Sequence, residues 1–324
     1  MARRGRIFVM LLLLLASGDV GCRRHRGSPI GKAPETRRDV GGQPSCGSLC
    51  GQLDCCESTV VPSGSFTFGR DESGNDRCPA GLGCGVTEVP AAKVTVASFR
   101  LDRFEVTVGR FRRFVEDYDA WRGAGHPIAG AGNAPGIAGS GWSAQFSAFL
   151  PKDRVSLERG VSCSDHTWTI DRGSNEQRPI NCVSWFEAQA FCIWDGGRLP
   201  LDVEWEYAAA GGEEERLFPW GADMPVDCSW ANWDGEGCSA LPEAVGSKSK
   251  NVGRWGQFDL AGNVAEWVFA RGSVGAIAPG LDSLLRGGAV STDRSLLRAA
   301  SRLGDGPTGE VHKPWWGARC ARTA

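Results

Sequence analysis

Tyrosine and histidine are scarce in this sequence, with two tyrosines and four histidines, the latter at positions 25, 126, 166 and 312. No Gly-x-Ser-x-Gly sequence occurs, so the strained serine elbow of an α/β-hydrolase is missing, and His166, although Asp165 beside it could orient it, reads as a structural histidine. Net charge is −2 and 23% of residues are charged, which excludes the basic balance expected of a nucleic-acid partner. Long apolar runs are absent too. The longest is the ten-residue run Ile7 to Ala16, shorter than a bilayer-spanning helix. One further absence is local: no cysteine falls between Ser239 and Arg319.

Elsewhere cysteine is plentiful. Arg3, Arg4 and Arg6 precede the apolar run and make residues 1–22 an export signal. The run ends on Asp19, Val20, Gly21 and Cys22, similar to a bacterial lipoprotein signal in which Cys22 carries the lipid. Asp19 departs from the usual aliphatic residue, so ordinary signal cleavage stays the alternative. Residues 23–45, rich in Arg, Gly and Pro, read as a flexible tether. In an exported chain, thirteen cysteines are read as disulfides before metal ligands. With Cys22 set aside they divide into Cys46, Cys50, Cys55, Cys56, Cys78 and Cys84 near the front and Cys163, Cys182, Cys192, Cys228, Cys238 and Cys320 later. Pairing within each half is expected, with Cys228–Cys238 the local candidate and metal binding by the front group the alternative.

Residues 46–58 form a cysteine-rich lead-in to a body at 59–321. Phe66 and Phe68 alternate with Ser65 and Thr67 as in a half-buried strand, and a second strand is expected over 94–104. Thr107 reads as an N-cap for a helix burying Phe111, Phe114, Val115 and Tyr118. Residues 122–147 read as a surface insertion, with His126 exposed on it. Ser184 and Glu187 have capping-box spacing before a helix that ends at Gly196 and Gly197. Then comes the stretch that organises the chain, from Gly196 to Gly212. It has a glycine pair, Pro200 near a helix start, helix formers through Ala210, and a glycine pair to stop. Residues 218–251 are turns. Arg286 to Gly288 and Leu297 to Arg302 read as return strands.

In this order the segments are similar to the formylglycine-generating enzyme, or sulfatase-modifying factor, family. The matching residues are Val61–Gly69, Glu105–Thr107, Pro179–Trp185, Gly197–Pro200 with Glu204–Ala208, Gly262–Val264 with Glu266 and Trp267, Arg286–Gly288, and Gly317–Cys320. The resemblance implies an α+β fold: a single irregular C-type-lectin-like domain with little regular secondary structure, stabilised by disulfides. It implies a Cys192–Cys320 disulfide. It also implies a calcium ion at Asp259, Glu266 and the carbonyls of Gly262 and Val264, a set of hard oxygen donors that suits the ion. A second, weaker calcium set would use Asn232 and the carbonyl of Trp233, its other ligands falling near Gly246 and Lys248.

The family's oxidases hold copper between two cysteine thiolates, a soft pair fitting Cu(I). The thiolates would fall inside the cysteine-free interval, where Ala299 and Ala300 stand in the Leu297 to Arg302 stretch. Ala265 also replaces a tryptophan frequent in the family beside Glu266. A second branch uses iron held by three histidines, which the four scattered histidines do not match. The expectation is therefore no catalytic residue and no copper, but an exported, envelope-located or secreted binding or structural module. Its partner would be a protein, peptide or glycan, and membrane contact would come only through Cys22. The alternative is a formylglycine-generating oxidoreductase acting on a cysteine of a sulfatase or other protein. Trp315 and Trp316 are the expected exposed aromatic pair.

Overall fold

The computed structural model describes residues 43–70, 73–85, 88–270, 283–303 and 309–324. Cys22, the export signal and nearly all of the tether lie outside them. All described residues belong to one unit, 38–324.

The regular elements are short. β1 (Leu49–Cys50) and β2 (Leu53–Asp54) make a small hairpin in the lead-in. β3 (Ser58–Val61) is followed by β4 (Gly64–Phe68), β5 (Ala92–Val96) and β6 (Phe99–Asp102). Four helices come next: α1 (Val108–Gly123), α2 (Arg154–Gly160), α3 (Trp185–Trp194) and α4 (Asp202–Ala209). β7 (Ala265–Phe269), β8 (Ser283–Arg286), β9 (Trp316–Gly317) and β10 (Ala321–Thr323) complete the set. β10 and β3 flank β6 antiparallel, so the last strand lies beside early ones. β7 pairs antiparallel with β8 and parallel with β9.

The single strand expected over 94–104 is two. β5 pairs with β4 while β6 pairs with β3 and β10, so the chain turns at Ala97 and Ser98 to change sheets. Leu297 to Arg302 is not a strand either. A 3-10 turn spans Arg294–Leu297, and only Leu303 bridges back to Leu285.

β7 is buried at every position and divides the core. Ala265, Trp267 and Phe269 join Phe111, Phe114, Trp185 and Phe191 of α1 and α3. Val268 faces the other way, towards Phe66, Phe68, Trp205 and Tyr207. That alternation is the period-two side-chain rule applied to a central strand. Ser184 forms the expected capping box: its hydroxyl accepts from the Glu187 amide, and the Glu187 carboxylate accepts from the Ser184 amide at 2.8 Å. Thr107 caps α1 by accepting from the Arg110 amide.

The insertion at 122–147 is not wholly on the surface, because Ala134, Ser140 and Trp142 are buried. His126 is half-buried and stacks on Trp121 with centroids 5.7 Å apart. Trp315 and Trp316 are half-buried against the α1–α3 core, not exposed, and Trp316 sits edge-on to Trp267 at 5.1 Å. The folded body already includes Ser45. Its amide donates to Asp195 at 3.0 Å and its hydroxyl accepts from Arg110 Nε at 2.9 Å. Arg110 also donates to Asp102 and Asp195, and Arg322 pairs with the same two carboxylates, tying the start of the body to its end.

Candidate functional site

The stretch from Gly196 to Gly212 sets the scaffold for the loops beside it. Arg198 forks onto Glu204 with contacts of 2.6 and 2.7 Å, and Glu204 also accepts from the Leu201 amide at the start of α4. Asp202 and Glu206 both hold the buried Arg286 that ends β8. Burial pushes the Glu206 carboxyl up, against the pull of Arg286 and Arg302. These acids are structural partners of arginines. Trp205 then reaches out of α4, its indole N–H donating to Glu266 Oε2 at 2.7 Å.

Glu266 belongs to a group of buried carboxylates. Its two oxygens also accept a forked pair from Arg319, at 2.7 and 2.6 Å. Asp259 is buried in a left-handed backbone conformation, φ 56°, and its Oδ2 accepts from the Gly246 amide at 2.6 Å. The third member is Glu105, which accepts from the Val264 amide at 3.1 Å and from Asn263 Nδ2 at 2.6 Å. Burial drives the Asp259 carboxyl up to about 6, with the neighbouring Glu266 charge adding to it. Burial first, then the charges of Asp259 and Glu266, push Glu105 well above the usual carboxylate range. Three carboxylates thus face the one guanidinium of Arg319. Lys248, which pulls the other way on Asp259, is itself paired with Glu243 at 2.7 Å.

Such an excess of buried negative charge favours a cation or a proton. Asp259 and the carbonyls of Gly262 and Val264 on the same segment are oxygen donors of the kind a hard cation takes. The Glu266 carboxylate is already held by Arg319 and Trp205. The second set fits poorly. Asn232 supplies a buried Oδ1 with no hydrogen-bond donor, but Gly246 brings no side-chain oxygen and Lys248 brings positive charge. Gly262 sits so close to Asn232 that a Cβ there would lie 2.4 Å from the Asn232 carbonyl oxygen, so the two segments are pressed together. Glu105 and Arg319 were visible only as parts of signature segments; nothing in the sequence marks them as partners of Asp259 and Glu266.

The thiols are all accounted for among the described residues. Six disulfides join Cys46–Cys56, Cys50–Cys55, Cys78–Cys84, Cys163–Cys182, Cys192–Cys320 and Cys228–Cys238, the halves pairing within themselves. Among the His, Cys, Asp and Glu side chains of the described residues, Cys46, Asp54 and Cys56 alone bring three potential ligand atoms within 4.8 Å, and both sulfurs there are oxidised. Ala299 and Ala300 are buried side by side in the cysteine-free interval. A cavity of about 590 Å³ opens by the lead-in, with Asp54, Glu57, Arg100 and Arg322 in its lining.

An irregular α+β domain, stapled by disulfides and built around a short α4 scaffold, is the class defined here. The chain belongs to the sulfatase-modifying factor enzyme 1-like domain family, whose model matches residues 49–324. It is 29% identical over 230 residues to the formylglycine-generating enzyme of Mus musculus, covering 64% of this chain and 56% of that protein. An inactive C-alpha-formylglycine-generating enzyme 2 from Mus musculus is also 29% identical, over 64% of this chain and 66% of its own length. Hercynine oxygenase of Mycobacterium tuberculosis is 29% identical over 68% of this chain and 52% of its length. The chain therefore spans between about half and two thirds of these relatives. The solved structure of PvdO from Pseudomonas aeruginosa shares the fold, with TM-score 0.54, 23% identity, and coverage of 83% of this chain and 95% of that one.

Proposed function

We propose that this chain is an extracytoplasmic binding or structural member of the family that has given up the two-thiolate copper chemistry. The observation that carries this reading is the oxidation of all twelve described cysteines into six disulfides, none of which falls between Ser239 and Arg319. Equal identity to relatives named as a formylglycine-generating enzyme and as an inactive one means that likeness alone favours neither role. The disulfides support an oxidising compartment. With the export signal, they support a secreted or envelope protein anchored through Cys22. Its loop-rich face would hold a protein, peptide or glycan.

The same reading gives the domain a structural calcium ion at Asp259 and the carbonyls of Gly262 and Val264. Glu266 and Glu105 supply negative charge around it, and copper has no part. A cation there would offset the burial and, after it, the carboxylate repulsion that push Asp259 and Glu105 up.

A second reading, oxidation of a cysteine in another protein by a different ligand set, follows the relatives named as formylglycine-generating enzymes. The whole chain, incubated with copper, oxygen and a Cys-x-Pro-x-Arg peptide, separates the two. Mass spectrometry should find the peptide cysteine unchanged. Aldehyde formation at that cysteine would establish the oxidoreductase reading instead.

A further inference from the structure

Away from the carboxylate group, one titratable pair sits where three elements meet. His312 Nε2 lies 2.9 Å from Glu187 Oε2. The Glu187 oxygen is the one that accepts from the Ser184 amide, so histidine and capping box share one atom. Gly160, the last residue of α2, closes over the pair. A Cβ there would lie 3.1 Å from His312 Nε2 and 3.3 Å from Glu187 Oε1. Glu187 is buried while His312 keeps 31% of its side chain exposed, within reach of solvent protons.

A neutral imidazole carries one N–H and can donate once, whereas an imidazolium donates from both nitrogens. The buried Glu187 carboxylate against this ring favours the charged form. We propose that His312 is a protonation-dependent latch, which as imidazolium pins the segment 309–312 across the first turn of α3 and the end of α2. The rest of that stretch is held independently. Lys313 O accepts from the Cys182 amide, Pro314 O from Asn181 Nδ2 at 2.6 Å, and Trp315 O from the Ala265 amide. Ahead of the histidine, Gly309 O accepts from the Trp185 amide at 2.8 Å, and that bond reports the latch.

Glu310 stands two residues before the histidine on its own segment. Glu158 and Arg159 lie in the last turn of α2, and Lys313 follows on the same segment. Tyr118 of α1 senses the Glu187 charge. Burial lowers the His312 value, but the Glu187 hydrogen bond and charge and the Glu310 backbone outweigh it and hold the group above its ordinary 6.5. A base whose folded value is raised gives its stabilisation in full below the unfolded value. That stabilisation is lost as pH rises through the folded value. The latch is thus closed in mildly acidic surroundings and opens as they become alkaline.

The test uses the whole chain. Proton NMR follows the His312 ring through a pH titration, and hydrogen exchange follows the Trp185 amide against that of Ala210, which donates to Glu206 O in α4. Glu187→Gln removes the charge but keeps an acceptor for the Ser184 amide, so α3 stays capped. In the wild type His312 should titrate above an ordinary histidine, and Trp185 should lose protection relative to Ala210 as pH passes that midpoint. In Glu187→Gln the midpoint should move down, and in His312→Gln the pH-dependent loss should vanish. A wild-type midpoint at or below the ordinary value, or Trp185 protection that follows Ala210 at every pH, would overturn the latch.

Discussion

Arg319 is the guanidinium on which the buried carboxylates of Glu105, Asp259 and Glu266 depend, and it also donates to the carbonyls of Asp102, Arg103 and Phe258. Removing one partner of a buried pair costs more than the pair contributes, because the other charge is stranded. Arg319→Met should therefore destabilise the domain by about 3–5 kcal/mol in chemical denaturation. A loss no larger than that of a surface substitution would remove Arg319 from its central place. At Asp259 the left-handed backbone tolerates asparagine, so Asp259→Asn tests charge alone. Millimolar calcium should raise the wild-type melting temperature, as any ligand of the folded state does, and the variant should lose that rise. Asp259 was legible in the sequence, as one of several oxygens on a turn-rich segment. Glu105 was not, since it meets Asn263 and Val264 from 158 and 159 residues away. No local pattern encodes so distant a meeting.

The elements that the sequence disclosed are those fixed by local rules. Ser184 and Glu187 stand at capping-box spacing, Thr107 precedes an apolar helical face, and Phe66 and Phe68 alternate with polar residues. Each element forms where those signals lie. Ser184→Ala leaves the Glu187 amide without its cap and should cost about 1 kcal/mol, seen as a lower denaturation midpoint with an unchanged slope. A neutral outcome would mean that packing of Trp185 and Phe191, not the cap, fixes the start of α3. Elements fixed by their neighbours carry no such local signal. The 94–104 run has strand character throughout, yet its two halves pair in different sheets, a partition made by β3, β4 and β10. Trp315 and Trp316 follow Pro314 close to the C-terminus, a place suited to exposure, but β9 lies parallel to β7 and draws them against the core.

Over the whole molecule, regular structure is too sparse to account for its order, and the crosslinks take up part of the task. Cys192–Cys320 closes the longest loop, 128 residues, joining α3 to the segment before β10. In the chain-entropy view a crosslink of that span contributes about 4–5 kcal/mol. The Cys192→Ala, Cys320→Ala double variant should lose an amount of that order in denaturant, while loss of the short Cys78–Cys84 loop should cost less. The same crosslinks bear on chemistry. With twelve sulfurs oxidised, a soft-metal site among the described residues would require opening a disulfide or recruiting ligands other than thiolate. Copper content is therefore the most direct measurement. The whole chain is exposed to Cu(I) under non-reducing conditions, freed of loose metal by gel filtration, and analysed for copper per chain. No stoichiometric copper is expected. One tightly held copper ion per chain would contradict that expectation.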